Sequence, residues 1–192
     1  MMTNLLPSGY TQLSYIQSDN SGQYIDSGCS VDDLTSEFEM RIKLSHLDGT
    51  GNTSVKGYMG CNFIGTIISY NTNFGIGSTT QGYPYTADGY YDITIVRDEN
   101  RVSHYNVNGM IFNENAENFD GTLNFGIFKL SPFGQNYLRL FGRCYGFIWK
   151  KNGNVERNLI PAIRNSDQEI GMWDTVTKTF FTNAGNGSFV GA

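Results

Sequence analysis

The sequence is short of charge, proline, alanine and histidine, and each shortage excludes something. No run of about 18 apolar residues occurs, so no segment reads as a transmembrane helix and no membrane insertion is expected. Charged residues make up 16% of the chain, against roughly 25% in an average globular protein. Alanine occurs only 5 times in 192 residues, and Leu, Glu and Lys are sparse, so a helical bundle lacks its usual building material. The 2 histidines, His46 and His104, form no HExxH and join no Cys/His cluster, so no zinc site is expected. The 3 cysteines, Cys29, Cys61 and Cys144, cannot close a disulfide framework in even pairs and include no CxxC. Cys144 lies in the apolar run Arg143–Trp149 and is expected to be a small buried side chain. Basic residues number 13 against 18 acidic, a net charge of −5, the reverse of what a phosphate-tracking surface needs, so no nucleic-acid partner is expected. The one adjacent basic pair, Lys150-Lys151, stands beside Asn152-Gly153 and reads as a charged hairpin end.

What is abundant points one way. The chain has 23 Gly, 20 Asn, 12 Tyr and 13 Phe. Such an aromatic content excludes disorder, and the mixture suits strands joined by tight turns. The length suits one domain spanning 1–192, which can bury about 70% of its unfolded surface without disulfides or metal. The first residues, Met1 to Pro7, have neither a basic region nor an apolar core, so no signal peptide is expected and the chain folds in a reducing cytoplasm.

The clearest element is Glu37–Leu44. Phe38, Met40, Ile42 and Leu44 take one face and Glu37, Glu39, Arg41 and Lys43 the other, the pattern of a half-buried antiparallel strand. Further strands are expected over 13–18 and 23–27, flanking the turn 19–22. Others are expected over 55–62, 63–70 and 73–77, over 91–97 and 101–107 joined by the three-residue loop 98–100, and over 110–113. Leu123, Phe125 and Ile127 alternate, 138–150 reads as a long strand, and 155–160, 170–175 and 179–181 complete the set. Asn108-Gly109 is a strong hairpin signal, and Lys151–Asn154 turns the long strand. One short helix is considered over 113–119. About a dozen short strands at this spacing predict an all-β fold, a two-sheet antiparallel jelly-roll sandwich.

Leu6–Ser18 (LPSGYTQLSYIQS), followed by Gln23–Gly28 (QYIDSG), resembles the opening of a LamG-like, concanavalin A-like jelly-roll family common in tail, baseplate and other surface proteins of phages and prophages. Asn158–Arg164, Ile170–Asp174 and Phe180–Gly185 with Gly187–Phe189 resemble its closing segment, and Tyr91–Arg97 with Tyr105–Gly109 the hairpin of LamG domains. The likeness covers nearly the whole chain, with a variable stretch at 52–89. It implies a concanavalin A-like fold, a virion surface location after synthesis in the host cytoplasm, other virion proteins as partners and a homo-oligomer. It does not imply an activity, because such folds host lectins, glycanases and structural modules alike. Pro7 and Pro161 are expected at strand edges, and Tyr10, Tyr15, Tyr24, Trp173, Phe180 and Phe181 in core and seam packing.

Chemistry is sparse. Laminarinase-type hydrolases share the jelly roll and carry a Glu-x-Asp-x-x-Glu strand, and retaining hydrolysis needs two carboxylates about 5–5.5 Å apart. Glu37 and Glu39 alternate correctly, but Arg41 and Lys43 follow, so they read as a solvated strand face. No Gly-x-Ser-x-Gly elbow occurs, and Gly75-Ile76-Gly77 lacks the helix of a phosphate loop. No catalytic residue, metal ligand or cofactor is therefore assigned. Ca²⁺ is the one ion kept open, through the loop residues Asp48, Asp88, Asp98 and Asp120.

Binding is better supported. The stretch 78–90 is rich in Tyr, Thr and Gly, and tyrosines give rigid amphipathic contacts. Tyr83, Tyr85 and Tyr90, with Gln81 and Asp88 as polar partners, are the candidate ligand-binding residues; the competing reading places these tyrosines at a sheet edge or subunit interface. The expected function is a non-enzymatic phage virion surface module, an adhesin contacting cell-surface or mucosal glycan. A structural capsid decoration or tail scaffold is the alternative, and a glycan hydrolase the remote one.

Overall fold

A computed structural model describes residues 6–19, 22–30, 37–46, 57–61, 64–69, 73–76, 83–84, 88–98, 102–114, 124–128, 130–131 and 141–192. Among them every regular element is a strand: β1 (Tyr10–Gln12), β2 (Ile16–Ser18), β3 (Ile25–Ser30), β4 (Phe38–Ser45), β5 (Gly57–Cys61), β6 (Ile64–Ser69), β7 (Asn73–Ile76), β8 (Tyr83–Pro84), β9 (Tyr90–Arg97), β10 (Ser103–Val107), β11 (Met110–Glu114), β12 (Asn124–Ile127), β13 (Leu130–Ser131), β14 (Gly142–Lys151), β15 (Asn154–Arg164), β16 (Glu169–Asp174), β17 (Phe180–Phe181) and β18 (Val190–Gly191). The larger sheet runs β11-β10-β9-β4-β14-β15-β16-β17, with β1 alongside β15 and β2 between β14 and β18. The smaller runs β3-β12-β5-β6-β7-β8, with β13 beside β5. All pairings are antiparallel except the short β13–β5 contact. The fold is an all-β, two-sheet sandwich.

Alternation decides which face each strand buries. In β4, Met40, Ile42 and Leu44 are fully buried, while Glu39, Arg41 and Lys43 turn outward. Tyr91, Ile93 and Ile95 of β9, and Cys144, Phe147 and Trp149 of β14, join them against Ile25, Cys29, Phe125 and Ile127 of the smaller sheet. Phe125 stacks on Phe147 with ring centroids 5.4 Å apart, across the two sheets. Burying each such side chain contributes roughly 1.5–3 kcal/mol. The Cys29 and Cys144 thiols are free, and burial pushes both up to about 12.

A second, smaller apolar cluster lies on the opposite face of β15 and β16. Ile160 and Ala162 pack there with Leu6, Tyr10, Trp173 and Phe180, and the Tyr10 ring sits 4.8 Å from Trp173 and 5.1 Å from Phe180. Gly171 is obligatory beneath it, because a Cβ there would run into the carbonyl oxygen of Phe181.

Both expected tight hairpins form. Asn108 and Gly109 have φ of 51° and 91°, Asn152 and Gly153 have φ of 48° and 77°, and these are the left-handed pairs that such turns require. Between β9 and β10, Asp98 and Val102 close on each other: the Asp98 N–H donates to the Val102 carbonyl and Asp98 Oδ1 accepts from the Val102 N–H, and 99–101 lie outside the described residues. Several expectations are corrected. Asn113 and Glu114 end strand β11, paired with His104 and Ser103, and do not begin a helix; 115–119 lie outside the described residues. The strands flanking 19–22 enter different sheets: β2 pairs β14 and β3 pairs β12. Strand β18, which the sequence pattern did not reveal, closes on β2. Pro161 lies inside β15 rather than at its edge. Its carbonyl accepts from the Leu13 N–H on the side away from β16, so its missing donor costs the β15–β16 ladder nothing.

One buried ion ties this framework together. Asp174 is fully buried. It accepts the backbone N–H groups of Asn158 and Val176, both at 3.0 Å, and the Thr177 hydroxyl at 2.6 Å. Arg157 Nε stands 3.7 Å from its Oδ2 and also donates to the Ser27 carbonyl of β3, which links the two sheets. Burial alone would raise this carboxyl, but the donors outweigh it and hold its pKa below the ordinary value.

Candidate functional site

The outward face of the larger sheet is a grid set by strand register. One row crosses four adjacent strands: Gln17 of β2 opposite Arg143 of β14, Arg143 opposite Ser45 of β4, Ser45 opposite Tyr90 of β9. The next holds Gly146, Lys43 and Asp92, and a third Ile148, Arg41 and Thr94. Between the first two rows the β14–β4 register shifts, a β-bulge that adds Tyr145 to the outer face.

Tyr145 becomes the centre of a tyrosine ridge. Its ring lies 5.3 Å from that of Tyr90, which is 47% exposed, and 5.8 Å from that of Tyr15. The Arg143 guanidinium covers the Tyr15 ring at 4.4 Å, within cation–π range. A polar chain fixes the arrangement. Arg143 Nε donates to Gln17 Oε1 at 2.8 Å, and Nη1 meets His46 Nε2 at 3.3 Å. A guanidinium only donates, so His46 Nε2 is the acceptor and the ring proton sits on Nδ1. Nδ1 then donates to Ser45 Oγ at 2.7 Å, and the Ser45 and Tyr145 hydroxyls share a hydrogen bond of 2.7 Å. Asp88, its side chain 87% exposed, stands 3.6 Å from His46 Nε2, beyond a hydrogen bond.

Beside the ridge the bulge leaves a groove of about 170 Å³ over Gly146, walled by Arg41, Lys43, Tyr145, Ile148, Asn158 and Ile160. Arg41 is held bidentately by Asp92. The hydrogen bonds and charge of Arg41 depress the Asp92 carboxyl, and Arg41 rises in turn. Burial and the Asp92 charge raise the Tyr90 phenol.

Of the five residues singled out in the sequence, this face brings together two, Tyr90 and Asp88. Tyr90 is the first residue of β9 rather than part of a loop, because the alternation that buries Tyr91 extends one residue further back. The backbone of Tyr83 lies in β8 at the edge of the smaller sheet, paired with Phe74. Gln81 and Tyr85 lie outside the described residues. Sequence reasoning missed Tyr145, Arg143, Ser45 and His46, and assigned Tyr15 to packing; the signal available was the run Arg143-Cys144-Tyr145-Gly146, in which two neighbours break a period of two.

Both oxygens of Glu39 accept from Lys150 Nζ at 2.9 Å. Of the residues considered for Ca²⁺, Asp98 meets His104 Nε2 at 3.0 Å, and Asp48 and Asp120 lie outside the described residues. Among the described residues no three His, Cys, Asp or Glu side chains converge on a common point, and no helix is long and apolar enough to cross a membrane. Compared with known proteins, the chain matches no family model and no curated protein.

Proposed function

We propose that this chain is a non-enzymatic binding module that contacts saccharides through the Tyr15–Tyr145–Tyr90 ridge. The observation that carries this reading is a half-exposed tyrosine row on the outer face of a sheet, held by a hydrogen-bonded chain and bordered by a groove. Aromatic faces offer a sugar's C–H surface a rigid apolar contact, while Asn158, Gln17 and Asp88 can reach its hydroxyls. Preorganisation matters because weak saccharide contacts leave little surplus for ordering side chains on binding. Display on a phage virion is the setting suggested by the likeness of the chain's two ends to LamG-like surface proteins.

A glycan array with the wild-type chain and Tyr90→Ala tests this. Binding of at least one saccharide, weakened tenfold or more by Tyr90→Ala at unchanged thermal stability, is expected. Undiminished binding by the variant, or none by the wild type, would sink the reading.

A second reading, assembly with a second copy of the chain as a scaffold or decoration element, draws on another observation. Strand β11 pairs only with β10 among the described residues and exposes Met110 and Ile111, the latter at 67%. An apolar edge of this kind is a template for pairing with another chain.

A further inference from the structure

Lys43 and Arg143 stand out among the cations of this face. Arg41, Lys150 and Arg164 each have a carboxylate partner. Lys43 makes no hydrogen bond or ion pair among the described residues, although Asp92 lies opposite it, because Asp92 is committed to Arg41. Arg143 spends Nε on Gln17 and one Nη1 hydrogen on His46, and among the described residues it makes no salt bridge to a carboxylate. Its remaining hydrogens form an end-on fork that matches the two oxygens of a carboxylate. Ser45 is the direct partner of Arg143 and lies two residues from Lys43, so the two cations are diagonal neighbours, with backbones about 7–8 Å apart. Tyr145 sits on β14 between their rows.

The Asp92 charge acts on Lys43 without a hydrogen bond between them, so an anion placed between Lys43 and Arg143 still gains from both cations. The chain's net charge of −5 does not oppose this, because at physiological salt distant charges are screened beyond about 8 Å. We infer that the ligand of this face is an acidic sugar, its carboxylate taken by Lys43 and Arg143 while its ring lies against Tyr145. The groove beside Tyr145, about 170 Å³, is smaller than the roughly 300 Å³ at which drug-sized pockets begin, so it suits one sugar unit rather than a wrapped chain. This inference rests on the saccharide-binding reading above and specifies its ligand.

Calorimetric titrations with matched pairs test it: sialyllactose against lactose, and trigalacturonate against its methyl ester, with sulfated lactose as a third arm. The acid form is expected to bind about tenfold tighter than its neutral partner, the size of one charge-assisted contact. Lys43→Gln and Arg143→Gln should each shrink that ratio, Tyr90→Ala should weaken both forms alike, and Lys178→Gln, an equal charge loss elsewhere, should leave the ratio unchanged. Equal affinity for acid and neutral forms, or a ratio that survives Lys43→Gln at unchanged stability, overturns the inference while the saccharide reading stands. Tighter binding of the sulfate ester overturns the carboxylate assignment. No binding of any saccharide removes the saccharide reading itself, and this inference with it.

Discussion

Replacing Asp174 by Ala should be among the most damaging single substitutions available. The carboxylate is wholly buried and serves two backbone N–H groups, one hydroxyl and one guanidinium. Its removal orphans the Asn158 and Val176 donors, at about 1–3 kcal/mol each, and strips Arg157 of its counter-charge. The Thr177 hydroxyl can rotate to another acceptor and adds little. Breaking a buried ion pair by removing one member costs about 3–5 kcal/mol, which agrees with that sum. For a chain of this size the midpoint should fall by about 10 °C. The pH dependence gives a second handle. The native pKa of Asp174 is depressed, so its contribution to stability is present above the ordinary carboxyl range and is lost as pH falls through the native value. The gap between wild type and Asp174→Ala should therefore be widest near neutral pH and narrow in acid. Urea melts of both proteins at pH 7 and pH 3 measure it. A loss below about 1 kcal/mol at neutral pH, or a gap independent of pH, would refute the reasoning.

Other outcomes follow from the same structure. Gly171→Ala should destabilise by about 1–3 kcal/mol, the range of overpacking, because a Cβ there meets the Phe181 carbonyl; a neutral result in thermal melts would show that β17 moves aside freely. The Cys29 and Cys144 thiols, both raised to about 12 by burial, should resist iodoacetamide at pH 8 in the native protein and react in urea; peptide mapping reads each site. Ile111→Lys should abolish any concentration-dependent self-association seen by light scattering and leave saccharide binding intact. If self-association persists, the assembly reading loses its edge strand.

Much of the framework was legible in the sequence because it depends on short-range rules. The alternation of 39–44 and the Asn-Gly pairs at 108 and 152 need only a period of two and a left-handed turn, and both reappear in the structure. The site was less legible, because its residues meet through register. Tyr15 and Tyr145 are neighbours only because β2 pairs with the start of β14, and Tyr145 faces outward only because of a bulge that no local preference announces. A tyrosine-rich stretch drew attention to 78–90, of which Tyr90 and Asp88 reach this face. Asp174 falls inside the strand expected over 170–175 with nothing to mark it, since the donors that surround it come from β15 and the turn beyond it.

The closure of β2 between β14 and β18 has a consequence for how the protein is made. Ile16 pairs with Cys144 and with Gly191, so the first strands have no partner until most of the chain exists. The 128 positions from Ile16 to Cys144, at about 5–20 residues per second, leave those strands waiting on the ribosome for roughly 6–26 seconds. Contacts of such long range make folding slow. Throughout that interval Ile16 and its neighbours lack their strand partners, so the nascent chain is open to wrong strand pairing in a way the finished sandwich is not.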